Sequence, residues 1–228
     1  MPAYYCIGDC KKSQRGEVMS YKPYKTVNTS SEEEIIINKS RFIGRAFHVE
    51  SEEEALSILA AIRKQHYDAT HNCYAYIIRE GGAARFSDDG EPSGTAGMPM
   101  MEVLKAKGVT DTLVIVTRYF GGILLGAGGL VRAYSRSTTA AVDAANVVLM
   151  TPGTSMKIVI DYSRFNAIED FIRANCVVEN IEYMENITLL LTIESEKQKD
   201  FSDKLTEKTD GRIVPEVLGE VYMKVAEA

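Results

Sequence analysis

What the sequence lacks narrows its class first. Its longest apolar stretches, such as Leu113-Val114-Ile115-Val116, are only strand-sized, so none is long enough to cross a bilayer as a helix. The opening residues, Met1 to Ser13, lack the apolar run of a signal peptide, which places the expected location in the cytoplasm. Only four cysteines are present. Cys6 and Cys10 lie close together, whereas Cys73 and Cys176 are isolated and read as buried thiols. A zinc site needs a second short-spaced pair of Cys or His ligands, and His48, His66 and His71 do not supply it. No metal and no cofactor are therefore expected. Cation excess is missing too: 26 Lys and Arg stand against 32 Asp and Glu, a net charge of −6. From Met19 to Pro152 the count is 14 cations against 15 acids, and from Gly153 onward 9 against 15. Any phosphate-binding face must then be a local patch on the N-terminal part.

What is present reads as a soluble α+β chain, 45% hydrophobic and 25% charged, of a length that suits two small domains. The leader, residues 1–18, is polar and without period, and is expected to be disordered. Codons for Arg15-Gly16-Glu17-Val18 can spell a ribosome-binding sequence, so Met19 is a candidate start. Beyond it, Glu34-Ile35-Ile36-Ile37 and Phe42 to Phe47 read as strands. Ser51 before Glu52, Glu53 and Glu54 opens a helix. Cys73 to Ile78 is a strand, Pro99 to Lys107 a helix ended by Gly108, and Thr112 to Thr117 a buried strand. A Gly-rich loop, Gly121 to Gly129, precedes a helix from Leu130 to about Asn146. Thr151-Pro152-Gly153 predicts an exposed hinge between domains 19–152 and 153–228. The second domain then shows strand (156–162), helix (164–175), strand (177–183), strand (187–193), helix (196–208) and strand (213–222). That order is the βαββαβ of a ferredoxin-like domain.

Two segments invite chemistry. Arg85 to Pro99 holds Asp88, Asp89 and Glu91 among glycines and opens onto a helix start. Such a turn suits a metal on the three carboxylates, or an anion at the free N–H groups. Plain turn chemistry explains the same residues, and the residues alone favour it. The second segment is Arg118-Tyr119-Phe120-Gly121-Gly122, continuing through Gly126 to Leu130. Gly121 and Gly126 have the glycine spacing of a P-loop, but Ala127-Gly128 stands where Lys-Ser/Thr is required, so no ATPase or GTPase activity is expected. Phosphate cradling and close packing of strand, loop and helix both remain open for it. Cys73 opens an apolar strand with no base placed beside it, so it reads as structural. No G-x-S-x-G elbow surrounds Ser87 or Ser93.

These residues together resemble the YigZ/IMPACT family. The likeness is carried by Lys39-Ser40-Arg41-Phe42-Ile43-Gly44, by Thr70-His71-Asn72-Cys73-Tyr74-Ala75-Tyr76, by Ser87 to Gly97, and by Val116 to Gly122 with Leu125-Gly126. It implies an N-terminal domain like the second domain of a ribosomal small-subunit protein, a fold shared with elongation factor G domain four and GHMP kinases. The C-terminal domain is similar to the last domain of elongation factor G. The resemblance further implies a part in regulating translation, with RNA or the ribosome as partner, and the leading expectation is a role without catalysis. The RWD-type domain of eukaryotic members is not among these residues, so its partner is not carried over.

On that reading Arg41, Arg45, Arg85, Arg118 and Arg132 are phosphate contacts, and Tyr119 and Phe120 can stack on bases. The alternative is an enzyme for a small phosphorylated or carboxylated ligand, using Asp88, Asp89 and Glu91 beside the Gly121–Gly129 loop. Arg118 has two roles open to it: clamping a loop carboxylate, or gripping an incoming phosphate. Its aromatic and glycine neighbours favour the second.

Overall fold

A computed structural model describes residues 22–224. The leader, Cys6, Cys10 and the Met19 start lie outside the described residues. The chain divides into two compact units, one of them Tyr24–Leu149 and the other containing Met150 onward.

The first unit runs β1 (Tyr24–Val27), β2 (Ser31–Ile37), β3 (Ser40–His48), α1 (Glu52–Gln65), β4 (His71–Ile77), β5 (Ala84–Ser87), α2 (Gly97–Lys107), β6 (Thr112–Tyr119) and α3 (Gly126–Ala144). Strands β2-β3-β6-β4-β5 form one antiparallel sheet with β6 at its centre. The apolar run in β6 explains its position, because both faces of the sheet are covered. Period two sends Val114 and Val116 to one face, where they join Phe42, Cys73, Met100, Leu104, Ala133 and Tyr134 under α2 and α3. Leu113 and Ile115 go to the other face and pack with Ala55, Leu59 and Ile62 of α1. A Cβ on Gly44 would fall 2.7 Å from the backbone oxygen of Ser137, so glycine is what lets α3 lie this close to β3. Ser51 caps α1 as its spacing predicts, accepting from Glu54 N at 3.1 Å.

The second unit contains β7 (Val147–Ile160, from Met150), α4 (Tyr162–Asn175), β8 (Val177–Tyr183), β9 (Ile187–Glu194), α5 (Gln198–Lys208) and β10 (Glu216–Lys224). The strands lie in the order β10-β7-β9-β8, each pair antiparallel. With β7, β8, β9 and β10 as the first to fourth strands of the motif, this is the ferredoxin-like arrangement. Met156, Ile158, Leu189 and Leu191 pack with Phe165, Ile168, Ile172, Phe201 and Leu205 of the two helices.

Four sequence expectations need correction. Thr151-Pro152-Gly153 is not a hinge but part of β7, opposite Met223, Tyr222 and Val221 of β10. Pairing of β7 with β9 starts at Gly153, so Pro152 costs no ladder bond on that side. The Gly-rich loop is shorter than its composition suggests, because α3 already begins at Gly126. A short strand, β5, occupies Ala84–Ser87 and was not legible from period. Cys73 is fully buried, but Cys176 is only partly so. Among the described residues no helix is long and apolar enough to cross a membrane.

Candidate functional site

The acidic turn leaves β5 and enters α2, a helix whose own N-cap residue, Ala96, offers no side-chain cap. Asp88 supplies the cap from upstream. Its Oδ1 accepts from Ala96 N at 3.0 Å and Gly97 N at 2.8 Å, and its Oδ2 from Gly94 N at 2.9 Å. Burial alone would raise the Asp88 carboxyl, but these three backbone donors outweigh it and hold it below the usual aspartate value. Asp89, at φ +44°, turns elsewhere: Oδ1 meets Arg63 Nη2 at 2.5 Å and Oδ2 accepts from Asn72 N at 2.7 Å. Glu91 points inward, its side chain 2% exposed. Its Oε1 accepts from Arg118 Nη1 at 2.6 Å and from Tyr134 Oη at 2.8 Å, while His71 Nε2 lies 3.7 Å from Oε2. The three carboxylates therefore diverge onto three separate sets of partners. No group of three or more His, Cys, Asp or Glu side chains fit to hold a metal occurs among the described residues.

Arg118 is 5% exposed, and its guanidinium carbon lies 5.4 Å from the ring centre of Phe42 and 5.5 Å from that of Phe120. Its Nε is buried without a hydrogen-bond partner. The sequence favoured an incoming phosphate for this arginine, whereas in the structure Glu91 occupies its Nη1. Beneath it, Cys73 Sγ lies 3.0 Å from Asp88 O, and burial pushes the thiol up to about 12, which suits a structural cysteine.

Alternation along the sheet separates the remaining candidates. Arg41, Arg45 and Tyr119 face the α1 side, opposite to Arg118. Arg41 pairs with Glu34 at 2.8 Å and covers the Tyr119 ring. Arg45 is buried, donating to Glu32 at 2.7 Å and Thr117 at 3.1 Å, with Nη2 2.7 Å from His66 Nε2. His66 Nδ1 meets Tyr119 Oη at 2.9 Å, and that hydroxyl donates to Asp68 at 3.2 Å. The chain of bonds fits a neutral imidazole, protonated at Nδ1 and accepting from Arg45 at Nε2. Burial, then the Arg45 charge, lower the His66 pKa accordingly. Arg85 is exposed on β5, 3.6 Å from Glu52. Of the five arginines, only Arg132 has no carboxylate partner among the described residues. They do not converge on one surface.

Where α3 begins, the surface is different. Its N-cap position, Leu125, gives no side-chain cap, and the first turn is Gly126-Ala127-Gly128-Gly129. The Arg132 guanidinium reaches back over that turn, 3.8 Å from where a Gly128 Cβ would stand. Arg136 follows one turn later and Lys39 sits in the β2–β3 turn, and neither has a carboxylate partner among the described residues. Gly121 presses on the Lys39 backbone, and Gly122 is exposed at φ +82°. Phe120 (47%), Ile123 (42%) and Leu124 (86%) stand exposed beside it. Sequence reasoning named Arg132 and Phe120 but missed Lys39, Arg136, His66 and the Tyr134 hydroxyl. Nothing in a helical period reveals that Tyr134 has a buried carboxylate partner.

Comparison with known proteins places these features in a family. The Impact N-terminal domain matches residues 38–142, and a domain of unknown function (DUF1949) matches residues 158–212. The IMPACT family member YvyE of Bacillus subtilis (strain 168) is 44% identical over 191 residues, covering 83% of this chain and 88% of that protein. The IMPACT family member YigZ of Escherichia coli (strain K12) is 35% identical over 181 residues, covering 78% and 89%. A crystal structure of a hypothetical protein, 31% identical, superposes with a TM-score of 0.55 and covers 86% of this chain and 98% of its own. With such identity sustained through both units, the chain belongs to the IMPACT family.

Proposed function

We propose that this protein is an RNA- or ribosome-associated factor acting on translation without catalysis, and that the α3 entrance is its contact surface. One observation carries the reading: Arg132, a cation, lies over the uncapped first turn of α3 with no carboxylate partner among the described residues. A helix start already carries positive potential, so a cation there is electrostatically unfavourable until an anion arrives. Lys39 and Arg136 extend the same sign, giving a local patch on a chain of net charge −6. The carboxylates an enzyme would need, Asp88, Asp89 and Glu91, are instead engaged in holding the turn together.

Ribosome co-sedimentation at low and high salt, beside binding of a short RNA, tests the proposal. Wild-type protein should bind at low salt and release at high salt, because phosphate contacts displace counterions. An Arg132→Glu/Arg136→Glu variant should lose most of that binding while unfolding at the same temperature. Absence of binding to both ribosomes and RNA at low salt would end the reading.

A further inference from the structure

Phe120 is an exposed aromatic whose backbone the protein pins in place. Its backbone N–H donates to Thr70 Oγ1 at 3.1 Å, and Thr70 N donates back to Arg118 O at 2.9 Å. The next residue is pinned as well: Gly121 N donates to Ser40 Oγ at 3.1 Å. A Cβ on Gly121 would lie 2.0 Å from the Lys39 carbonyl carbon, so the loop lies flat against the β2–β3 turn. The ring itself is backed by the Arg118 guanidinium, 5.5 Å from its centre, and Arg118 is in turn fixed by Glu91 and Phe42. Yet the residue remains 47% exposed. Burying Phe120 would have been the cheaper use of an aromatic, and an unconstrained surface ring would forfeit entropy on binding. A ring with a guanidinium over it, still half exposed and carried on a pinned backbone, is suited to receive another π-system.

Among the parts of a nucleic acid, only a base offers that face, and a base inside a duplex is already stacked on its neighbours. Resting on the RNA reading above, we infer that Phe120 is a stacking platform for an unpaired base, so that the RNA taken at this surface is single-stranded. Lys39, beside Gly121, and Arg132, over the first turn of α3, contact the phosphates on either side of that base. Arg118 is a positioning residue here: it reaches the RNA only through the ring it supports.

The chain contains no tryptophan, so Phe120→Trp installs a single fluorescent reporter on the platform. Three probes are titrated: a short single-stranded RNA, its blunt duplex, and an abasic strand with the same phosphates. The expected result is strong quenching by the single strand, with at least about tenfold weaker binding of the duplex and of the abasic strand. Phe120→Ala and Phe120→Leu should both lose about tenfold for the single strand, Leu because apolar area without a π-face does not stack. Arg118→Lys added to Phe120→Trp, which retains the charge but not the planar backing, should still bind and quench less at saturation. Equal binding of duplex and single strand, or full affinity in Phe120→Leu, would overturn the platform while leaving RNA association intact. If none of the three probes binds, the platform falls, and ribosome co-sedimentation decides separately whether the reading it rests on falls with it.

Discussion

Arg118 and Glu91 meet at 2.6 Å with both side chains almost withdrawn from water, and the Tyr134 hydroxyl closes on the same carboxylate oxygen. Two of the motifs that are most distinctive in the sequence are thus tied to each other across the α2–α3 face. A buried pair of this kind is demanding rather than simply stabilising, since each charge depends on the other for its solvation.

Arg118→Ala should therefore lower stability by about 3–5 kcal/mol, because the buried Glu91 side chain loses its guanidinium partner and is left with the Tyr134 hydroxyl. Chemical unfolding monitored by circular dichroism measures it. An Arg118→Met/Glu91→Leu double variant should recover most of the loss, as paired replacement removes both desolvation costs. A double variant as unstable as the single one would show that packing, not charge, is what the pair contributes.

Asp88 gives a pH signature. Its carboxyl is held below 3.8 in the folded protein by three backbone donors that the unfolded chain lacks. With the folded pKa depressed, the unfolded chain binds more protons in the window between the two values. The contribution is complete above pH 3.8 and is lost as pH falls through the folded value. Asp88→Ala should cost about 1–2 kcal/mol at neutral pH, as for loss of a helix cap. It should also have a shallower acid limb than wild type when unfolding midpoints are compared across pH.

His66 works over a higher window with the same sign. Its folded pKa lies below 6.5, so stability is complete above 6.5 and declines as pH drops toward the folded value. Protonation there removes the acceptor for Arg45 Nη2 and sets two cations together. His66→Gln keeps an acceptor without the titration, and should flatten this part of the stability profile. NMR titration of the imidazole provides the independent check: a pKa at or above 6.5 would contradict the bond chain to Tyr119.

The order of elements was legible because each rests on local chemistry. Ser51 with its acids announces α1, Gly108 ends α2, and the β-branched run Val114–Val116 announces β6. The order of elements in the second unit was legible from Met156 onward, since each strand and helix there carries its own period. The site was less so. That Arg118 and Glu91 would face each other depends on the pairing of β3, β4 and β6 and on the return of α3, and none of these is encoded within a window of neighbouring residues. Consecutive Arg118, Tyr119 and Phe120 looked like one cluster, but strand alternation sends Arg118 and Tyr119 to opposite faces. Thr151-Pro152-Gly153 looked like a break because turn chemistry is local, and the β10 strand opposite it is some 70 residues away.

Gly121 and Gly122 look equivalent in the sequence, and the structure separates them. Gly122 has a left-handed backbone, φ +82°, but nothing within 4 Å of where its Cβ would stand. An alanine there meets only conformational strain, about 1–2 kcal/mol. Gly121 has no such φ, yet its Cβ would fall 2.0 Å from the Lys39 carbonyl carbon and 2.4 Å from Ser40 N. Those are backbone atoms in a tight turn, where Asn38 and Lys39 themselves hold φ of +46° and +64°, so they have little room to retreat. Gly121→Ala must push the loop off the β2–β3 turn, at a cost of about 3 kcal/mol or more. It also carries Phe120 away from Thr70 and the Arg118 guanidinium. The two variants should therefore differ in kind: Gly122→Ala mildly less stable with RNA affinity retained, Gly121→Ala strongly destabilised and, at temperatures where it is still folded, impaired in binding single-stranded RNA. Thermal unfolding and RNA titration of the pair measure both, and equal behaviour of the two variants would mean that the loop does not rest on that turn.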